Sequence, residues 1–188
     1  MVVVILAAEV RPVTGESRAS AHPLLRWPRH LWTDEADVRR QLGAAGLARL
    51  QAQVQASEVK HLGELRLCIE GGLSWQDLRQ KQTARSRALH LFSTLQVWDT
   101  EHNNGVLIYL LLADHRIEIL ADRGIMARAG HEPWAHIAQQ LAASLRGGQF
   151  EQGLGHAIEA VTQLLALHFP VDPGRDNPNE LPNKVVVI

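Results

Sequence analysis

One cysteine in 188 residues leaves no intramolecular disulfide to form. Cys68 lies in an apolar-rich segment, where a lone thiol packs as a small core residue, and that usage fits a reducing compartment. An excess of one charge is also missing: 19 basic residues face 20 acidic ones, for a net charge of −1. A dedicated nucleic-acid binder would show a basic stripe, so that class is set aside. No apolar run reaches the length that crosses a bilayer. Met1 to Ala8 is apolar but short, and it lacks the basic start and longer core of a secretory signal. The expectation is a soluble, cytoplasmic chain. Zinc chemistry is unsupported, with no His-Glu-x-x-His and no second cysteine. No phosphate-binding glycine loop is present. Ser74 follows Gly72, but Gln76 stands where a nucleophile elbow needs its second glycine.

What is present centres on Val97 to Gly124. Val106 to Leu112 is a continuous apolar run after Gly105 and before Asp114-His115, the pattern of a strand buried on both faces. Ile117 to Ala121 alternates more and reads as its antiparallel partner. With Asp114-His115 as the turn, Asp122 falls near Leu107, beside the polar loop that enters the first strand. Asp99, Thr100, Glu101, Asn103, Asn104 and Asp122 then crowd one sheet edge. Ordinary solvated turn chemistry accounts for such residues as well as a site does.

The remaining chain supplies the frame. Residues 1–30 show no helical period and carry Pro12, Pro23 and Pro28, which reads as a loosely held arm. Thr33 is placed as an N-cap before Asp34 and Glu35. An apolar helical stripe runs through Val38 and Leu42, pauses at Gly43, and resumes to His61. Leu65, Leu67 and Ile69 alternate as a strand. Ser74 to Leu95 reads as one helix. This strand, that helix and the strand at Val106 form a crossover unit with parallel strands, which brings Glu64 to the same edge. Trp134 through Leu145 and Phe150 through Leu165 follow helical spacing, with Trp134 in the core. Trp98 is expected to anchor the polar loop. Residues 31–170 thus form one α/β domain, a mixed central sheet with helices packed on both faces, followed by a Pro- and Asn-rich tail over 171–188.

Linked motifs carry a family resemblance. They are Ser57-Glu58-x-x-His61-x-Gly63-Glu64-x-Arg66, Trp98-Asp99-Thr100-Glu101-x-Asn103-Asn104-Gly105, Asp122-Arg123-Gly124-Ile125, His168-Phe169-Pro170 and Asn177-Pro178-x-Glu180-Leu181-Pro182. Together they resemble the TPM domain, which takes its name from a thylakoid-lumen phosphatase, a photosystem II repair factor and a receptor-modulating protein. The nearest likeness is to short bacterial members without signal peptide or membrane anchor. The resemblance implies a three-layer α/β fold, an acid phosphatase activity known in plant relatives, and calcium binding known in some. Calcium takes six to eight oxygens and magnesium a near-octahedral set. Glu64, Asp99, Glu101, Asn103 and Asp122 are the candidate ligands, with calcium ahead of magnesium. The Asp99 loop is not an EF-hand, because its twelfth place is Leu110.

Glu58 and His61 share a helix face at i, i+3 and are weak acid–base candidates, with a helix-ending ion pair or cap as the plainer alternative. The rival functional class is a non-enzymatic module that serves a membrane-associated protein partner. Three conformational expectations follow. Ile108 is buried in the central strand, Gly124 takes a positive φ, and Leu181 anchors the tail in an apolar groove.

Overall fold

The computed structural model describes residues 3–9, 23–171, 181–182 and 184–188. In chain order the elements are β1 (Val3–Glu9), α1 (Pro23–Trp32), α2 (Glu35–Glu58), β2 (Leu65–Glu70), α3 (Trp75–Arg79), α4 (Ala84–Thr94), β3 (Val106–Leu111), β4 (Arg116–Ala121), α5 (Arg123–Ala129), α6 (Glu132–Arg146), α7 (Phe150–His168) and β5 (Val186–Val187). One five-stranded sheet has the order β1-β4-β3-β2-β5. β2 runs parallel to β3 and to β5, while β4 is antiparallel to β3 and to β1.

Every residue of β2 and β3 is buried, because helices cover both faces. On one face Leu67, Ile108 and Ile119 meet α2, α6 and α7 through Val54, Leu141, Leu154 and Val161. On the other, Cys68, Tyr109 and Leu120 lie beneath α3 and α4, against Leu78, Ala88 and Phe92. Two-sided burial is why β3 reads as a continuous apolar run, whereas β2 buries Arg66 and Glu70 between its apolar residues. The expected three-layer α/β architecture is therefore present. Ile108 and Trp134 are fully enclosed, as expected.

Several local expectations are corrected. The N-cap of α2 is Asp34, whose carboxylate accepts from Ala36 and Asp37 while the Asp37 side chain caps the Asp34 N–H in return. Thr33 instead donates its hydroxyl back to Arg29 O. Gly43 sits at φ 69° inside α2 and kinks it, in a conformation that glycine adopts without a Cβ penalty. Ser74 to Leu95 holds two helices. Ser74 caps α3 and Thr83 caps α4, each in a capping box, and Lys81 turns between them at φ 56°. Gly124 lies within helix α5 rather than at a positive φ. Its glycine requirement is steric: a Cβ there would meet His102 O at 2.3 Å and Asn103 O at 2.6 Å.

The hairpin register also moves. The β3–β4 connection is a four-residue loop, Leu112 to His115, with Leu111 opposite Arg116 and Val106 opposite Ala121. Leu107 therefore faces Leu120, and Asp122 pairs with Gly105 through its N–H at 2.9 Å. A longer loop shifts the pivot and carries Asp122 past the strand, nearer the polar loop. Both chain ends reach the sheet. Val3–Glu9 pairs with β4 along one edge, and Val186–Val187 pairs with β2 along the other. Within the expected arm, Pro23–Trp32 is helical. Leu181 is buried on the α4 side. The tail motif from Asn177 to Glu180 lies outside the described residues.

Candidate functional site

The candidate site lies where β2 and β3 begin and β4 ends. Three backbone bonds lock these ends together. Val106 N–H donates to Glu64 O at 2.8 Å, Asp122 N–H to Gly105 O at 2.9 Å, and Gly124 N–H to Asn103 O at 2.8 Å. The crossover and the hairpin have thus brought Glu64, Asn103, Asn104 and Asp122 to one sheet end.

Asp122 is 3% exposed and N-caps α5. Its Oδ1 accepts from Arg123 N–H at 2.6 Å, while its Oδ2 is buried with no hydrogen-bond partner among the described residues. Asn104 is fully buried. Its N–H donates to Thr100 Oγ1 at 3.1 Å and its Nδ2 to Leu62 O at 2.9 Å, but its Oδ1 also lacks a partner. Unsatisfied buried oxygens cost free energy, so each demands an explanation. Asn103 adopts φ 52°, which its short amide tolerates, and its Oδ1 accepts from Arg123 Nε at 3.0 Å.

The other expected ligands separate from this pair. Glu64 is buried and interacts with the Arg66 guanidinium, which also attracts Glu58. Burial pulls the Arg66 pKa below its ordinary value, and Glu58 and Glu64 oppose that shift. Asp99 and Glu101 are exposed on the outer loop. Among the described residues, no three His, Cys, Asp or Glu side chains stand close enough to hold a metal by themselves. Any cation here would draw on amide or backbone oxygens beside a carboxylate. Asn104 is the residue the sequence reading did not name as a ligand. Its signal was its place before Gly105, at the start of an apolar run.

Glu58 and His61 are placed differently from an acid–base pair. His61 is fully enclosed; its Nδ1–H donates to Gly63 O at 2.9 Å, and its Nε2 lies 2.8 Å from Ser57 Oγ. A carbonyl can only accept, so the neutral ring takes its second bond from the Ser57 hydroxyl. Ser57 Oγ is in turn 2.6 Å from Thr162 Oγ1 on α7. Burial pushes the His61 pKa down to about 4. Both nitrogens are thus engaged, Nδ1 with the loop after α2 and Nε2 with Ser57, which itself links α2 to α7. Trp98 is half exposed, whereas its neighbour Val97 is fully buried and anchors the loop.

A family model for the TPM domain matches residues 34–164. The chain belongs to the TPM domain family. The NMR structure of BA42 protein from the psychrophilic bacterium Bizionia argentinensis is similar to it, at 27% identity and a TM-score of 0.68, over 78% of this chain and 94% of that one. No curated protein matches the sequence. Both terminal strands and α1 fall outside the residues matched to the TPM domain. No helix among the described residues is long and apolar enough to cross a membrane.

Proposed function

We propose that this TPM domain binds a divalent cation, calcium ahead of magnesium, at the sheet end around Asp122 and Asn104. The supporting observation is the pair of buried, unpartnered oxygens, Asp122 Oδ2 and Asn104 Oδ1, on residues flanking Gly105. A carboxylate and an amide oxygen are the hard donors such ions prefer. Asn103 precedes Asn104 in the chain, while Asp99 and Glu101 stand exposed on the outer loop and would reach the ion only if that loop closed over it. Arg66 competes for Glu64, so Glu64 serves as an outer partner. A cation at this end supplies Lewis acidity that polarises a phosphoryl oxygen, and phosphoester hydrolysis is the activity proposed for it.

Asp122→Asn is the informative variant. Asparagine caps helices as well as aspartate does, so the substitution removes the charge and keeps the cap. Melting temperature with calcium, with magnesium and with chelator reads the site directly. An ion bound only to the folded state at a hundred times its Kd stabilises by about 2.7 kcal/mol. A rise in wild type that Asp122→Asn abolishes supports the site. No rise with either ion at saturating concentration discards it, and p-nitrophenyl phosphate hydrolysis on the same sample tests the catalytic part.

A second reading is favoured by His61, whose two nitrogens are spent inside the fold. In it the domain is a non-enzymatic module for a membrane-associated protein partner. Cation-dependent stabilisation without phosphoester hydrolysis would select that reading.

A further inference from the structure

Helix α1 turns two polar side chains into the fold. His30 is 3% exposed, with Nε2 2.8 Å from Asp114 Oδ1, and Arg26 reaches the same carboxylate at 2.9 Å. Two large apolar side chains of the same helix lie outward, Leu31 55% and Trp32 82% exposed, while Trp27 packs partly against the core. A helix on a water-soluble surface usually turns such side chains inward. Trp75, at the start of α3, is 54% exposed and continues the patch, its ring 4.5 Å from that of Trp27, one turn before Leu31. Isolated exposed apolar residues are ordinary, but three large ones on adjoining elements form a patch that calls for a covering surface.

The charges around the patch point to its partner. α1 contains no acidic residue. Arg29, Arg79 and Lys81 are exposed, and none has an acidic partner among the described residues. Of the nearby acids, Asp37 pairs with Arg40 and Glu35 with Arg39, while Asp34 and Asp77 serve in the caps of α2 and α3 and pair with none of these three basic residues. Tryptophan beside exposed arginine and lysine is the composition that settles at a lipid headgroup boundary.

We infer that the outward face of α1, with Trp75, docks on an anionic lipid bilayer. Trp32, Leu31 and Trp75 enter the headgroup layer, and Arg29, Arg79 and Lys81 meet lipid phosphates. The contact is peripheral and reversible. It is independent of the cation site, since α1 contacts the opposite end of the hairpin through Asp114.

The test is flotation of the full chain with phosphatidylcholine vesicles and with vesicles that also contain phosphatidylglycerol, both in chelator so that bridging cations play no part. Wild type should float with the mixed vesicles, show a blue shift of tryptophan emission, and detach as salt rises. Arg79→Glu should weaken partition by roughly fivefold or more, given the share each basic residue contributes at an anionic surface. Trp32→Ser should weaken it by about tenfold while leaving the melting temperature unchanged, because binding scales with the apolar area inserted. No flotation of wild type with the mixed vesicles overturns the inference, and so does equal flotation of wild type and Trp32→Ser. A concentration-dependent dimer in gel filtration that Trp32→Ser abolishes would assign the face to a second copy of the chain and overturn it as well.

Discussion

The β3–β4 hairpin carries an aspartate at each end, and the two live in opposite circumstances. Asp114, in the turn, accepts from Arg26 Nε at 3.2 Å, from Arg26 Nη2 at 2.9 Å and from His30 Nε2 at 2.8 Å. Leu73 N–H donates to His30 Nδ1 at 2.9 Å, which places the ring proton on Nε2, facing the carboxylate. Hydrogen bonds from His30 and Arg26, with the charge of Arg26, overcome burial and hold the Asp114 pKa well below the usual carboxylate range. Asp122, where β4 ends, spends one oxygen on a helix cap and leaves the other buried and unmatched. A carboxylate whose bonds are complete is a clamp, and here it fastens α1 to the hairpin. One left incomplete inside the same fold retains coordination capacity for a ligand.

The largest expected effect breaks the satisfied end. Asp114→Ala removes the acceptor of three bonds and strands a buried histidine and a part-buried arginine. Losing one partner of such a pair costs about 3–5 kcal/mol, readable by urea denaturation. A loss within about 0.5 kcal/mol, the range of surface changes, would mean that the clamp contributes nothing.

Acid probes the fold through two other groups, His61 beside the candidate site and Asp114 at the far end of the hairpin. His61 has its folded pKa depressed to about 4, below the unfolded value of about 6.5. Its contribution is therefore complete above pH 6.5 and is lost as pH falls from there towards 4. The loss is on the order of 3 kcal/mol. Asp114, also depressed, keeps its contribution above its unfolded pKa near 4 and loses it only below that. Stability measured against pH should fall in these two successive windows. His61→Gln should flatten the first window and leave the second; retention of the first would remove His61 as its cause.

Gly124→Ala comes next, at about 1–3 kcal/mol, the range of overpacking substitutions. The new methyl would press on His102 O and Asn103 O, which are backbone atoms with little room to yield. It should also blunt any cation-dependent rise in melting temperature, since Asn103 is displaced. Normal stability and a full cation response together would show that the loop gives way freely.

Smallest is Asp122→Asn in chelator, expected within about 0.5 kcal/mol of wild type because the cap survives. A loss comparable to that of Asp114→Ala would make the two aspartates alike, and the comparison would collapse.

Much of this could be read from residue order, and the exceptions have separate causes. The continuous apolar run at Val106 signals two-sided burial directly in its composition, whereas the alternation at Leu65 signals a strand but conceals that Arg66 and Glu70 are buried as well. The meeting of Glu64, Asn103 and Asp122 at one sheet end followed from strand direction alone. The exact pairing of Asp122 did not, since a four-residue loop and a two-residue turn have similar compositions and differ in register. Gly124 was placed correctly as a constrained residue for the wrong reason. A positive φ is a local property with a sequence signature, whereas the proximity of His102 O is contact across the fold.

Local sequence determined the strands, the capping boxes at Ser74 and Thr83, the amphipathic helices of the second half and the order in which they join, because these rest on periodicity and neighbours a few residues apart. Tertiary structure alone decided which polar groups are satisfied. Asp114 meets Arg26 and His30 across more than eighty residues, Glu64 is drawn to Arg66, both His61 nitrogens are taken by Ser57 and Gly63, and the two terminal strands become sheet edges. Hydrogen bonds and ion pairs are short-ranged and directional, so their completion depends on ångström-scale placement of distant segments, which residue types in order do not encode by pattern.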